Sequence, residues 1–272
     1  MKLSIVVPIY NEEENVEQLH EEIVRMCRYS KVCGEPFDWE IIFVDDGSDD
    51  RTPQVCKELK PLRYIRFRRN YGQTSAMDCG IKKATGEYIA TLDGDGQNNP
   101  ADIPRMIEYL IENDLDVVSG WRRNRQDPIK KKFDSRMANL FRQKMVHDGI
   151  HDSGCTLKIY RAECFRDVSL YGDQHRFIPA ILKGKGYKIG EVEVNHRPRL
   201  HGETKYNFKR VFHGVRDLNE LRLEHNHRNT KSQVYGYISG QMINSYYKKY
   251  GKDRYSIYEE IDNTEEVDQP EE

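Results

Sequence analysis

The chain has 272 residues, with 43 Lys and Arg against 45 Asp and Glu and a formal net charge of −2, so it lacks the strongly basic balance of a nucleic-acid binder. Hydrophobic residues make up 37% of it, enough for the packed core of one large domain or two small ones. No apolar run approaches the roughly 20 residues that a membrane-crossing helix requires.

The first half alternates short apolar runs with helical patterns. "LSIVVPI" (3–9) and "EIIFV" (40–44) are β-branched runs of strand length, and "RYIRF" (63–67), "EYIATL" (87–92) and "DVVS" (116–119) follow. Between them Val16, Leu19, Ile23 and Met26 recur at helical spacing, as do Ile103, Met106, Ile107, Leu110 and Ile111. Strands separated by helices predict an α/β fold, a mostly parallel sheet flanked by helices. In such sheets ligands bind at the carboxyl ends of the strands. The polar residues at those ends are Tyr10-Asn11-Glu12, Asp45-Asp46-Gly47-Ser48 and Asp93-Gly94-Asp95-Gly96-Gln97.

After about residue 120 the pattern loosens. Residues 121–136 hold seven basic side chains against Asp127 and Asp134, a band that fits an anionic ligand or a solvated face. A basic helix over 130–146 precedes "DSGCTLKIYR", and a second short-strand region ends in "EVEVNHRPR". Helices are expected over 207–222 and 230–249, with "YSIYEEI" packing back onto the body. Residues 259–272 carry eight acids and no Lys or Arg, which predicts a disordered tail. The domain boundaries expected are 1–215 for the main body, 216–258 for a C-terminal helical extension and 259–272 for the tail.

The six cysteines form no CxxC pair and no Cys/His cluster of zinc spacing, and no cleavable signal precedes the first strand. Reduced thiols in the cytoplasm are the simplest reading.

"TLDGDGQNNP" admits two readings. Two carboxylates and the Gln97 amide oxygen are hard donors suited to Mg²⁺ or Mn²⁺. The same residues also make an Asp/Gly turn that leads into a helix starting at Asn99-Pro100. "VDDGSDDRT" is likewise either a carboxylate site for a base or ribose, or a turn in which Ser48 or Asp49 caps the next helix.

The ordered set "VVPIYNEEENV", "VDDGSDDRT", "RNYGQTSAMDCGIKKATGEYIATLDGDGQNNPADIP", "DVVSGWRRNRQD", "HDSGCTLKIYRAE", "HRFIPAIL" and "EVEVNHRPRLHGETKY" resembles the family 2 glycosyltransferases of the GT-A fold. Within them it is similar to the polyprenyl-phosphate, dolichyl-phosphate mannose synthase-like branch, over roughly residues 1–215. The resemblance implies that Pro8, Tyr10 and Glu12 line a nucleobase pocket and that Asp46 contacts base or ribose. It places Asp93 near ribose and metal, and Asp95 and Gln97 on an Mg²⁺ or Mn²⁺ ion against a diphosphate. Arg122 and Arg136 match arginines facing an acceptor phosphate, and Asp152 matches an acid near the sugar. Arg176, Arg197, Arg199 and Lys205 lie in segments approaching the donor diphosphate. "RPRLHGETKYNF" resembles a mobile loop hinged at Gly202. Where the family often has Asp-Ala-Asp-Leu-Gln, this chain has Gly94 and Gly96, which loosens the loop.

The function implied is metal-dependent, inverting transfer of a sugar from a UDP- or GDP-sugar to an undecaprenyl- or dolichyl-type phosphate. The resemblance also implies a cytoplasmic place at the membrane face, no nucleic-acid partner, and room for a homo-oligomer. Members of this branch usually continue into paired membrane helices, where this chain has "NELRLEHNHRNTKSQ" instead. Two other readings stay open: a transferase acting on a sugar hydroxyl with Asp152 as base, and a non-catalytic nucleotide-sugar binder. No GxGxxG follows the first strand, which disfavours a Rossmann dehydrogenase.

Overall fold

The five apolar runs of the first half become β1 (Lys2–Ile9), β2 (Asp38–Asp45), β3 (Arg63–Phe67), β4 (Tyr88–Thr91) and β5 (Val117–Trp121). The computed structural model describes residues 1–123, 149–172, 174–198 and 255–264. Its later strands are β6 (Lys158–Arg161), β7 (Ile189–Glu193) and β8 (Ile257–Asp262). All eight join one sheet in the order β7-β5-β6-β4-β1-β2-β3-β8. The expected basic helix at 130–146 and the helices at 207–222 and 230–249 lie outside the described residues.

Strand pairing is parallel for β1–β2, β1–β4, β2–β3 and β5–β7, as the alternation of strands and helices predicts. β6 runs antiparallel between β4 and β5, so β5 keeps the direction of β4. The carboxyl ends of β1, β2, β4, β5 and β7, and the start of β6, therefore share one edge. Chain order reverses at β1, which lies between β4 and β2, and a crevice at such a reversal is where open α/β sheets bind ligands.

Helices cover both faces. α1 (Val16–Tyr29), α2 (Thr52–Glu58) and α4 (Ile103–Glu112) are the flanking helices on one face. Val16, Leu19 and Ile23 of α1, Cys56 of α2 and Met106 and Ile107 of α4 pack with Leu3, Ile5 and Val7 of β1. The opposite face takes α3 (Gln73–Lys83) and α5 (Ile178–Gly184), where Met77, Cys79, Ile178 and Leu182 meet Val6, Ile42 and Ile65. β1 is buried on both faces, which is why its sequence is a continuous apolar run and not an alternating one. All six cysteines are free thiols and five are buried.

β8 corrects the expected boundary between helical extension and disordered tail, because the strand runs across residues 258 and 259 and pairs antiparallel with β3. The acids that read as a solvated tail meet a basic sheet edge. Glu259 pairs with Lys57, and Glu260 with both Arg63 and Lys83 at 2.7 Å. Tyr255 stacks on Phe67 at 4.9 Å between ring centroids, and Ile257 and Ile261 pack against the two cores. Half-exposed ion pairs are worth about 0–1 kcal/mol each, so the ladder and the apolar contacts hold β8 while the charges fix its register.

Candidate active site

The loops after β1 and β2 are laced together. Asn11 exchanges side-chain bonds with Asp49, donating to Oδ1 at 2.5 Å and accepting from its N–H at 3.0 Å, and its own N–H donates to Ser48 Oγ. Ser48 does not cap α2: its N–H and hydroxyl both donate to Asp45 Oδ1 at 2.8 and 2.6 Å. The Thr52 N–H donates to Asp50 Oδ1, and the N-cap position of α2 is Arg51, so the capping expected of Ser48 or Asp49 does not occur. Glu12 donates its N–H to Thr52 Oγ1 and accepts from Asn15, which fixes the entry to α1. Pro8 is buried in β1, and Tyr10 sits half-buried above Asp45 and Asp46. Burial and the aspartates at 45, 46, 49 and 50 raise its phenol pKa.

Asp46 is 3% exposed and accepts from the backbone N–H groups of Tyr71 at 2.6 Å and Gly72 at 2.8 Å. Burial pushes its carboxyl up to about 7 against those two bonds, with the neighbouring Asp45 adding to the rise. The sequence left the Asp46 segment either a carboxylate site for base or ribose or a polar turn. In the structure Asp46 anchors the loop between β3 and α3.

Gln73, the first residue of α3, donates to Asp93 Oδ1 at 2.7 Å. Asp93, Asp95 and Gln97 follow β4 and are half-buried. Gly96 has φ +69°, a left-handed turn that a side chain resists, and a Cβ on Gly94 would lie 2.7 Å from Ile9 Cγ2. Glycine at 94 thus packs the loop tightly onto β1, where a looser loop was expected. Asp95 Oδ1 accepts from Gln97 N–H, and Gln97 bonds Arg197 through both its carbonyl and its side-chain amide. Arg197 reaches Glu22 at 2.6 Å and Asn99 at 2.7 Å, tying the loop to α1. Asn99 accepts from Ala101 N–H and Pro100 opens the 3-10 turn into α4, the turn that the sequence allowed here.

Arg122 at the end of β5 makes a two-pronged pair with Asp152, Nε to Oδ2 at 2.7 Å and Nη2 to Oδ1 at 3.0 Å. Their side chains are 10% and 5% exposed. Burial, the largest single influence, works to lower the Arg122 pKa, but hydrogen bonding to Asp152 and the charges of Cys155, Asp152 and Asp93 together raise it. This pairing was not legible in the sequence, which lists the two 30 positions apart. Glu191 of β7 was missed as well: it accepts from the N–H groups of His151 and Asp152 and meets His151 Nδ1 at 2.7 Å. Its only sequence signal was one of two acids in a half-buried strand. Arg176 lies beside His175, whose Nδ1 meets Thr74 Oγ1 of α3 at 2.7 Å. Arg136, Arg199 and Lys205 lie outside the described residues.

Asp93, Asp95 and Gln97 fit a small hard cation. Among the described residues no three His, Cys, Asp or Glu side chains form a metal-holding group, so these residues offer no closed cage. One or two carboxylates that leave positions for phosphate oxygens are what Mg²⁺ and Mn²⁺ sites commonly use.

The glycosyl transferase family 2 model matches residues 4–169, more than half of the chain. The chain belongs to glycosyl transferase family 2. Among curated relatives of this family 2 chain, the dodecaprenyl-phosphate galacturonate synthase of Rhizobium johnstonii is 43% identical over 226 residues, 80% of this chain and 65% of that one. An undecaprenyl-phosphate 4-deoxy-4-formamido-L-arabinose transferase of Pectobacterium carotovorum is 36% identical over 221 residues, 79% of this chain and 66% of that one. The chain thus spans just under two thirds of the length of these relatives. Mannosyl-3-phosphoglycerate synthase from Rubrobacter xylanophilus superimposes with a TM-score of 0.65 at 17% identity, over 86% of this chain and 77% of that one. Glucosyl-3-phosphoglycerate synthase from Mycobacterium tuberculosis, solved with Mn²⁺, UDP and glucosyl-3-phosphoglycerate, gives 0.61 at 16% identity, over 82% and 79%. These likenesses establish the GT-A fold. Among the described residues no helix is long and apolar enough to cross a membrane.

Proposed function

We propose that this family 2 chain transfers a sugar, with inversion, from a nucleotide-sugar donor to a polyprenyl phosphate. The observation that carries the reading is the Arg122–Asp152 pair at the carboxyl edge of the sheet, within electrostatic reach of Asp93. The polyprenyl-phosphate products and acceptors in the names of the two relatives support the acceptor class. The catalytic body is residues 1–215 together with β8.

Breaking the bond from an anomeric carbon to a nucleoside diphosphate puts charge on the departing phosphates. A divalent cation held by Asp95 and Gln97, with Asp93 beside it, would neutralise that charge. The Mn²⁺ and UDP complex of the glucosyl-3-phosphoglycerate synthase supports this assignment, with Mg²⁺ or Mn²⁺ the ions to test. Pro8, Tyr10, Glu12 and Asp46 would hold base and ribose, UDP or GDP, and Arg176, Arg199 and Lys205 the diphosphate. Arg122 spends Nε and Nη2 on Asp152, and Nη1 is the end that remains for an acceptor phosphate oxygen. Arg136 would be its companion. A phosphate oxygen is already anionic near neutral pH, so no strong general base is required.

The sugar-hydroxyl alternative needs Asp152 as proton acceptor. Both its oxygens accept from the Arg122 guanidinium, which suits a positioning carboxylate better. A polyprenyl phosphate lodges in a bilayer, so the enzyme would work at a membrane face. The experiment is a panel of nucleotide sugars and short-chain polyprenyl phosphates with Mg²⁺ or Mn²⁺. Sugar-lipid product from one pair supports the reading, and donor binding with no transfer to any acceptor would show a binder instead.

A further inference from the structure

Lys158 opens β6 and is 2% exposed, although a lysine ammonium is costly to bury. It sits in register with Thr91 of β4 and Ser119 of β5, the strands that lead into Asp93 and Arg122. Its Nζ donates to the Cys155 carbonyl and, at 3.5 Å, to the Ser153 carbonyl. The Asp152 carbonyl takes the Cys155 N–H, so the turn carrying Asp152 is closed by its own backbone and pinned from beneath by one ammonium. Burial lowers the Lys158 pKa and Arg122 adds to the fall, while Cys155, Asp152 and Asp93 act against it.

An apolar side chain of the same length would fill this place without the desolvation cost. The charge therefore has a use other than packing. We propose that Lys158 is a positioning residue: its ammonium gathers the carbonyls of residues 153 and 155, fixes the 152–155 turn, and so holds Asp152 against Arg122. This rests on the assignment of the Arg122–Asp152 pair to the reacting end of the site. Lys158 touches no substrate in this account and acts through Asp152.

The test compares wild type with Lys158→Met by hydrogen exchange and by steady-state transfer kinetics. Peptides covering 150–157 should exchange at least tenfold faster in the variant, while those of β1 and β2 exchange as in wild type. In transfer assays kcat should fall at least tenfold with the donor KM within threefold, and Lys158→Arg should lie nearer wild type in both readouts. Unchanged exchange over 150–157 would overturn the proposal, as would a uniform rise across the sheet, which marks a merely structural lysine. If Lys158→Met does not fold, Lys158→Gln takes its place, and loss of fold in both also overturns it. Should wild type transfer no sugar to any acceptor, the exchange result alone decides the role of Lys158.

Discussion

Asp46 combines burial with two backbone N–H donors, and burial prevails. Its folded pKa of about 7 stands above the ordinary value of 3.8, so its neutral form is the one that folding favours. The stability it contributes is complete below about pH 4 and is lost as pH rises through about 7. Denaturation from pH 5 to pH 8 should therefore show wild type losing stability relative to Asp46→Asn, and a difference that is flat with pH would contradict the assignment. Arg122 and Asp152 present the opposite case, a buried pair whose members satisfy each other. Asp152→Ala should cost on the order of 3–5 kcal/mol by chemical denaturation, because it strands a guanidinium at 10% exposure. Arg122→Met with Asp152→Leu should recover most of that stability and still abolish transfer. At this scale the sequence shows which residues sit at strand ends. Asp46 serving the Tyr71–Gly72 amides and Asp152 serving Arg122 could not be read, because both depend on loops that meet only after the sheet forms.

Elements were legible where burial imposes a period. The runs at 3–9 and 40–44 needed little context, since strands buried on both faces are almost wholly apolar. β8 was harder, because alternating Ile and Glu suits either a strand on a basic edge or a solvated tail, and only Lys57, Arg63 and Lys83 decide it. Two substitutions measure what holds it. Glu259→Ala should cost less than about 1 kcal/mol, as its one half-exposed ion pair with Lys57 does. Ile261→Ala should cost more, about 1–2 kcal/mol, since its side chain is partly buried against the core beneath β3. Equal costs in urea denaturation would mean that the charges, not the apolar contacts, secure the strand.

At the scale of the molecule, one sheet brings the carboxyl ends of its parallel strands to a single edge, and chain order reverses at β1. The alternation of strands and helices predicted that edge, and the antiparallel β6 delivers Asp152 to it from residues that the alternation did not cover. The central claim is that the Asp93–Gln97 loop is the cation and diphosphate centre of a sugar transferase. Calorimetric titration of wild type and Asp95→Asn with UDP and with GDP, each with and without Mn²⁺, tests it most directly. One nucleotide should bind wild type at least tenfold tighter with Mn²⁺ than without, and Asp95→Asn should lose this enhancement. Binding indifferent to Mn²⁺, or an enhancement that survives in Asp95→Asn, would contradict it.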